Sequence, residues 1–403
     1  MSKTIWVLNM TAGKPDSGWG ERHYYFSKFW IKLGYDVKII SGSYNHLFKN
    51  QPEIGKEKFK LENIEKGITF CWVKIPEYDG GSIFKLWSMM VYAYRILSLS
   101  TKQLGKPSVV LVSSMPIFPI LSGWYLKRKH KASKLFFEIR DLWPLTPIYL
   151  KGYSKWHPMV LIMSWFEKFG YKKADKIVSL LPNAHRYIDE ISKDPSKFVW
   201  IPNGIDEELL EKEALENEIV EILPKNKFIV GYTGTMGMAN ALEYLIEATI
   251  ELKENKNIHF VLVGDGYLKA ELQEQVKGNS NVTFIPKINK NQVQHMLSFF
   301  DVCFVGRNNT PLFDYGVSSN KFFDYMLSKK PVLVSSNKIN DPIEMSGGGV
   351  IVKPESAKAI VEAIKLLSEM DKNELNLMGS KGYNYVKENH NFKVLSDKYA
   401  SLF

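Results

Sequence analysis

The stretch Gly316-Val-Ser-Ser-Asn-Lys-Phe-Phe-Asp-Tyr-Met-Leu-Ser-Lys-Lys-Pro-Val-Leu-Val334 places polar groups at the mouth of a helix that feeds a buried strand. Ser318, Ser319 and Asn320 are all good N-cap residues, so a helix is expected to begin there and run to about Ser328. The amides of such a helix start are open to an anion. Lys321 adds a full charge in the first turn, where it opposes the helix dipole and is best tolerated with a phosphate in front of it. Asp324 follows one turn on, and a carboxylate beside a phosphate site is suited to the hydroxyls of a ribose. Read together, these residues describe a site for a nucleoside diphosphate. The same types also fit an ordinary i,i+3 ion pair on a surface helix, so the rest of the chain has to decide.

Working outward, 403 residues with 45% hydrophobic content and no low-complexity tract predict two domains, each with its own core. The two cysteines, Cys71 and Cys303, lie far apart in apolar runs, which argues against a disulfide framework or a zinc site and fits a reducing cytosol. No export signal is expected, because the apolar start is short and soon gives way to Gly13-Lys-Pro-Asp16. Charge is uneven. Residues 1–200 hold 31 Lys and Arg against 16 Asp and Glu, while residues 201–403 hold 22 against 27. Such a basic half implies an anionic partner: a nucleic acid, an anionic membrane surface or a phosphorylated substrate.

The N-terminal half alternates strands and helices. An apolar run at 4–9 is followed by a glycine loop (Gly13, Gly18, Gly20), a helix at 24–33 and a second strand at 34–40, which makes a βαβ unit. Residues 45–67 read as a polar excursion or mobile loop before a strand at 68–75. The helix at 84–99 carries only Lys85 and Arg95 as charges, which suits either a core or a membrane-facing position. The uncharged window 107–126 is long enough to span a membrane. Its β-branched start, Ser113-Ser114, Pro116 and Pro119 instead indicate strand, loop and amphipathic helix. That helix ends in Trp124, Tyr125, Lys127, Arg128, Lys129 and Lys131, the composition of an anchor on anionic lipid or of a solvated helix end. A further strand at 134–139 leads to Glu138, Arg140 and Asp141 at the sheet edge where parallel sheets carry their chemistry. The second half restarts the alternation, with loops at 234–237 and 264–266, and no cluster of metal-ligand type is evident. The expected fold is α/β, two doubly wound domains of 1–200 and 201–384 facing a central cleft, with residues from about 385 to 403 returning to the first.

Six motifs in register resemble the GT-B glycosyltransferases, specifically the retaining family 4 of bacterial O-antigen and capsule synthesis. They are Gly18-Trp-Gly20-Glu-Arg-His, Glu138-Ile-Arg-Asp-Leu-Trp-Pro144, Ile201-Pro-Asn-Gly-Ile-Asp206, Gly231-Tyr-Thr-Gly-Thr-Met236, Val263-Gly-Asp-Gly-Tyr267 and the 320–334 segment. The resemblance implies that Gly20, Gly234, Thr235, Met236, Gly264, Ser319, Asn320 and Asp324 bind a nucleotide-sugar donor. In that family two Glu residues mark the last stretch, whereas here the second is Asp324 and the first falls on Gly316. An Arg and a Lys usually follow the first strand of the second domain, but this chain reads Gly237-Met-Ala-Asn-Ala-Leu-Glu243, and Arg307 with Lys321 are expected to replace them. Arg140 and Asp141 stand where many relatives keep a His facing sugar and acceptor.

The resemblance thus implies transfer of a sugar with retention, an N-acetylated or deoxy amino sugar from a UDP-linked donor, without metal or other cofactor. The acceptor would be a lipid-linked saccharide or another saccharide, and the enzyme would sit in the cytoplasm against the inner face of the membrane, with no nucleic-acid partner. Trp124, Lys127, Arg128, Lys129 and Lys131 would meet acceptor and membrane. Two alternatives stay open: a sugar-nucleotide 2-epimerase of the same fold, and a nucleic-acid-binding protein using the basic half.

Overall fold

The computed structural model describes residues 3–79, 83–205, 207, 212–337 and 341–403. Asp206, the end of the expected turn, lies outside the described residues. The chain divides into two compact units, Met1–Asn203 with Phe392–Phe403, and Gly204–Asn391.

Among the described residues the first unit contains eight strands: β1 (Lys3–Leu8), β2 (Tyr35–Gly42), β3 (Phe59–Glu65), β4 (Ile68–Val73), β5 (Pro107–Ser113), β6 (Lys134–Ile139), β7 (Lys176–Ser179) and β8 (Phe198–Trp200). They form one sheet in the order β3-β4-β2-β1-β5-β6-β7-β8. Every pairing is parallel except β3 with β4. β1 and β4 are apolar runs buried almost end to end, as a sheet covered on both faces requires. Ile5 and Val7 join the cluster under helix Arg22–Trp30, whereas Leu8 lies under Gly123 of helix Pro119–His130, so alternate side chains feed two helical layers. The second layer continues on either side of helix 119–130 with helices Ile83–Arg95 and Pro158–Lys173.

The expected loop at 45–67 is corrected by β3, an antiparallel edge strand. Its outer side pairs with nothing in this sheet, so a half-polar sequence with Lys60, Glu62 and Glu65 is tolerated there. The window 107–126 resolves into β5 and the start of helix 119–130. No helix among the described residues is long and apolar enough to cross a membrane.

The second unit holds six strands: β9 (Phe228–Thr233), β10 (Ile258–Val263), β11 (Val282–Ile285), β12 (Val302–Gly306), β13 (Val332–Ser335) and β14 (Gly349–Val352). Their order is β11-β10-β9-β12-β13-β14, parallel throughout, with a hydrophobic cluster on each face. The strand order reverses between β9 and β12, which is where the carboxyl ends of an open parallel sheet leave a crevice for ligands.

The return of the chain to the first unit begins later than expected. Helix Lys372–Asn389 packs on helix Asn320–Leu327 of the second unit, and only helix Phe392–Ala400 belongs to the first. There Phe26 and Trp30 meet Tyr399 edge-on at 5.5 and 5.4 Å, and the Trp30 indole donates to the Ser396 carbonyl at 3.3 Å. Each buried aromatic side chain contributes about 2–3 kcal/mol, enough to hold a nine-residue helix in place.

Candidate donor site and a buried ionic hub

Helix 320–327 begins as the sequence indicates. Ser319 stands at the N-cap, but its hydroxyl makes no capping bond, so the amides of the first turn are not closed by it. Lys321 does not pair with Asp324. Its ammonium reaches back over the end of β9, donating to the Tyr232 hydroxyl at 2.9 Å and to the Asn240 side-chain oxygen, and lies 4.5 Å from the Tyr232 ring centre. Tyr232 in turn donates to the Thr235 carbonyl at 2.6 Å, and the Asn240 amide donates to the same carbonyl at 2.9 Å. Gly234 stands at φ 145°, a conformation that L side chains rarely adopt, and a Cβ there would also push on the Lys321 Cε from 2.4 Å.

Arg307 follows β12 and is 7% exposed, its guanidinium lying over the rings of Phe313 and Phe322 at 5.6 and 5.3 Å. Its Nε has no hydrogen-bond partner. Among the described residues no carboxylate lies within ion-pair distance of Arg307 or Lys321. Burial, reinforced by the neighbouring Arg307 charge, pushes the Lys321 ammonium down to about 7, and burial lowers the Arg307 guanidinium to about 10 against the opposing charge of the buried Asp341. Two neighbouring cations at a sheet edge, with the buried Asp341 carboxylate acting on Arg307 but no carboxylate in ion-pair contact with either among the described residues, are suited to a polyanion. Asp324, partly buried one turn into the helix, has its carboxyl raised to about 6 by burial, with Lys290 opposing the rise.

The other expected donor residues divide. Thr235 is exposed in the 234–237 loop, and Asn320 opens the helix. Met236 is fully buried in the core cluster, so it is corrected from ligand contact to packing. Gly264 serves backbone approach, since a Cβ would fall 1.9 Å from the Gly234 carbonyl oxygen. Gly20, at φ 84°, lies in the first unit and answers a similar need against the Thr11 carbonyl. Tyr232 and Asn240 escaped the sequence reading. Asn240 stands within the stretch that lacks the usual Arg and Lys, but only the fold shows that it receives Lys321.

In the first unit the three charges expected at the end of β6 part company. Glu138 is fully buried and closed off. It accepts from Arg22 Nη2 at 3.1 Å, from Ser113 at 2.8 Å and from Tyr399 at 3.3 Å, with His23 Nε2 at 3.1 Å. Burial alone would raise its carboxyl, but the charge of Arg22 and the contact with His23 outweigh it and hold the pKa well below the usual range. Arg22 also donates to the carbonyls of Ile201 and Pro202 at 2.9 and 2.6 Å. Glu138 is therefore a structural hub. Arg140 is partly buried, its backbone amide held by Ser114 at 3.0 Å, and Asp141 is exposed.

The basic cluster of helix 119–130 is also redistributed. Lys127 is engaged by Asp175 at 2.6 Å, and Trp124 packs edge-on against Phe169 at 5.6 Å beneath the Arg128 guanidinium. Arg128, Lys129 and Lys131 remain exposed. Among the described residues there is no group of three or more His, Cys, Asp or Glu placed to hold a metal.

Comparison with known proteins agrees with this fold. The Glycosyltransferase Family 4 model matches residues 18–209 and the Glycosyl transferases group 1 model matches 227–370. An uncharacterised glycosyltransferase of Methanocaldococcus jannaschii is 23% identical over 59% of this chain and 60% of its own length, so the chain spans less than two thirds of that relative. A putative colanic acid biosynthesis glycosyl transferase of Escherichia coli K12 is 22% identical over 82% of this chain and 84% of its own. An Escherichia coli UDP-Gal:alpha-D-GlcNAc-diphosphoundecaprenol alpha-1,3-galactosyltransferase is 30% identical over 30% of this chain and 33% of its own. Among solved structures, sucrose-phosphate synthase from Thermosynechococcus elongatus superposes with a TM-score of 0.74 at 17% identity, covering 99% of this chain and 98% of its own. Anabaena HepE in complex with UDP and glucose does so with 0.67 at 13%, covering 99% of each. With one glycosyltransferase model matching most of each unit and the fold shared along the whole chain, the protein is a glycosyltransferase of GT-B fold, similar to family 4 in its first unit.

Proposed function

We propose that the protein transfers a sugar from a UDP-linked donor to a lipid-linked or saccharide acceptor of a surface polysaccharide, with retention at the anomeric carbon. The observation that carries the reading is the pair of buried Arg307 and partly buried Lys321 at the edge of the second sheet, with no carboxylate in ion-pair contact with either among the described residues. A diphosphate seated there gains most as the glycosidic bond breaks and negative charge develops on it, so these side chains stabilise the departing group. Asp324 takes the ribose, and the open first turn of helix 320–327, with Ser319 and Asn320, faces a phosphate. Gly234, Thr235 and Gly264 shape the loops beside it. Arg140 and Asp141 orient sugar or acceptor in the first unit, with no metal or other cofactor taking part. The UDP and the lipid-linked acceptor in this reading follow relatives that act on or bind such molecules. The amino sugar follows the resemblance alone.

A lipid-linked acceptor brings the first unit to the cytoplasmic face of a membrane, with Trp124, Arg128, Lys129 and Lys131 near the lipid and Lys127 in a lesser part. The test is incubation with a panel of sugar nucleotides, with hydrolysis, transfer and epimer formation scored separately. Transfer with net retention is expected. Interconversion of donor epimers without transfer overturns the reading in favour of an epimerase.

A further inference from the structure

Helices 83–95 and 158–173 each bury one side and expose a second apolar side. On helix 83–95, Ser88, Met89 and Tyr92 face inward, while Phe84, Trp87 and Tyr94 are 63, 60 and 76% exposed. On helix 158–173, Val160, Met163 and Gly170 face inward, while Leu161, Ile162 and Trp165 are each about half exposed, and Trp156 just before the helix is 71% exposed. The two helices flank helix 119–130, and Trp165 stacks on Phe169, which meets Trp124, so aromatic contacts run from one helix to the next. A water-soluble surface normally scatters such side chains singly; a concentration on one helical layer marks a docking face.

Charge says what docks. Helices 83–95, 119–130, Leu145–Lys151 and 158–173 together hold nine Lys and Arg and a single carboxylate, Glu167. Glu167 is 1% exposed, with one oxygen accepting from Tyr171 at 2.9 Å and the other from Tyr187 at 2.7 Å. The outward charge of these helices is therefore of one sign. A second copy of this chain would oppose cation to cation across such a face, and a nucleic acid would leave the aliphatic Leu161, Ile162 and Met90 wet. An anionic lipid surface satisfies both terms at once, taking aromatic and aliphatic side chains into the headgroup boundary while lysines meet phosphates.

We propose that this face inserts into an anionic bilayer, so that attachment rests on the apolar side chains of helices 83–95 and 158–173 rather than on the basic end of helix 119–130. The inference deepens the reading of a lipid-linked acceptor and rests on it for its purpose. The test uses the full chain and vesicles of phosphatidylcholine with graded phosphatidylglycerol, at low and high salt. Wild type is expected to co-sediment with the anionic vesicles. The double variant Ile162→Glu/Trp165→Glu is expected to bind tenfold or more weakly at either salt, with thermal unfolding and UDP binding by calorimetry as in wild type. Changing Lys127, Arg128, Lys129 and Lys131 all to Gln should weaken binding less, and mainly at low salt.

The proposal falls if wild type stays in the supernatant at low salt, or if the double variant binds like wild type. It also falls if sedimentation velocity shows a dimer that the double variant abolishes, because a second copy would then be the occupant. UDP binding separates the two readings: if it is absent while vesicles are bound, the donor site fails and the docking face stands. If UDP is bound and vesicles are not, the reverse holds.

Discussion

Two buried cationic groups, one in each unit, are built on opposite principles. In the first unit Arg22 is neutralised by Glu138, and the carboxylate has further bonds from Ser113 and Tyr399. In the second, Lys321 and Arg307 have a phenol, an amide and aromatic faces for company, and among the described residues no carboxylate makes an ion pair with either, the buried Asp341 acting on Arg307 only through its field. A charge removed from water without a partner costs several kcal/mol, so the closed group suits a structural role and the open group the donor-binding role proposed for it. Proximity to the carboxyl end of a parallel sheet does not separate them, since both are there. Satisfaction does.

The sharpest way to break this contrast is Glu138→Gln. Removing one partner of a buried ion pair costs about 3–5 kcal/mol, because Arg22 stays buried and the bonds to Ile201 and Pro202 lose their anchor. Urea unfolding of the intact chain should show the loss, with UDP binding at low urea unchanged, as the proposed donor residues lie in the other unit. A variant as stable as wild type would show the hub to be incidental.

Lys321→Ala and Arg307→Ala should behave in the opposite sense. Taking out Lys321, a cation with no carboxylate acting on it, is expected to leave the apo protein as stable as wild type or more so, and taking out Arg307, whose charge Asp341 partly offsets, to change stability little. In both, kcat should fall on the order of 10²–10³-fold and donor affinity much less, since leaving-group charge is greatest in the transition state. If KM and kcat suffer equally, the cations act on the bound ground state. If stability drops with activity, the contrast between the two groups is lost.

Much of the fold was legible because parallel strands buried on both faces are near-continuous apolar runs, and two of the loops that follow them, after β9 and β10, begin with glycine. What stayed hidden obeys weaker local rules. β3 is half polar because an edge strand needs no second partner. Tyr232 reads as a strand aromatic, and its hydroxyl finds Lys321 only through pairing 89 positions apart. Met236 follows a Gly-Thr pair that looks like a ligand loop, yet it drops into the core. Glu138 and Asp141 are equally charged in sequence, and only burial separates an engaged carboxylate from an open one.

The smallest expected effect tests the open group by pH. Asp324, with its carboxyl raised to about 6, binds more protons folded than unfolded between about 4 and 6, so on this group alone the apo fold loses stability as pH rises through that window. Lys321, lowered to about 7, binds fewer protons folded than unfolded above that value, so its share of stability returns as pH rises from about 7 towards 10. Donor binding reverses both preferences, because a ribose hydroxyl wants the carboxylate and a diphosphate wants the ammonium. Affinity for UDP should therefore peak between about pH 6 and 7 and decline on both sides. Calorimetry at pH 8 in buffers of different ionisation enthalpy should show proton uptake on binding. Asp324→Asn should flatten the acid limb and raise the donor KM about tenfold, the loss of one hydrogen bond to a charged group. Lys321→Arg, which stays charged across the range, should flatten the alkaline limb and abolish the uptake. A profile that is flat in wild type, or limbs that survive both changes, would place the titrating groups elsewhere and remove Asp324 and Lys321 from the donor site together.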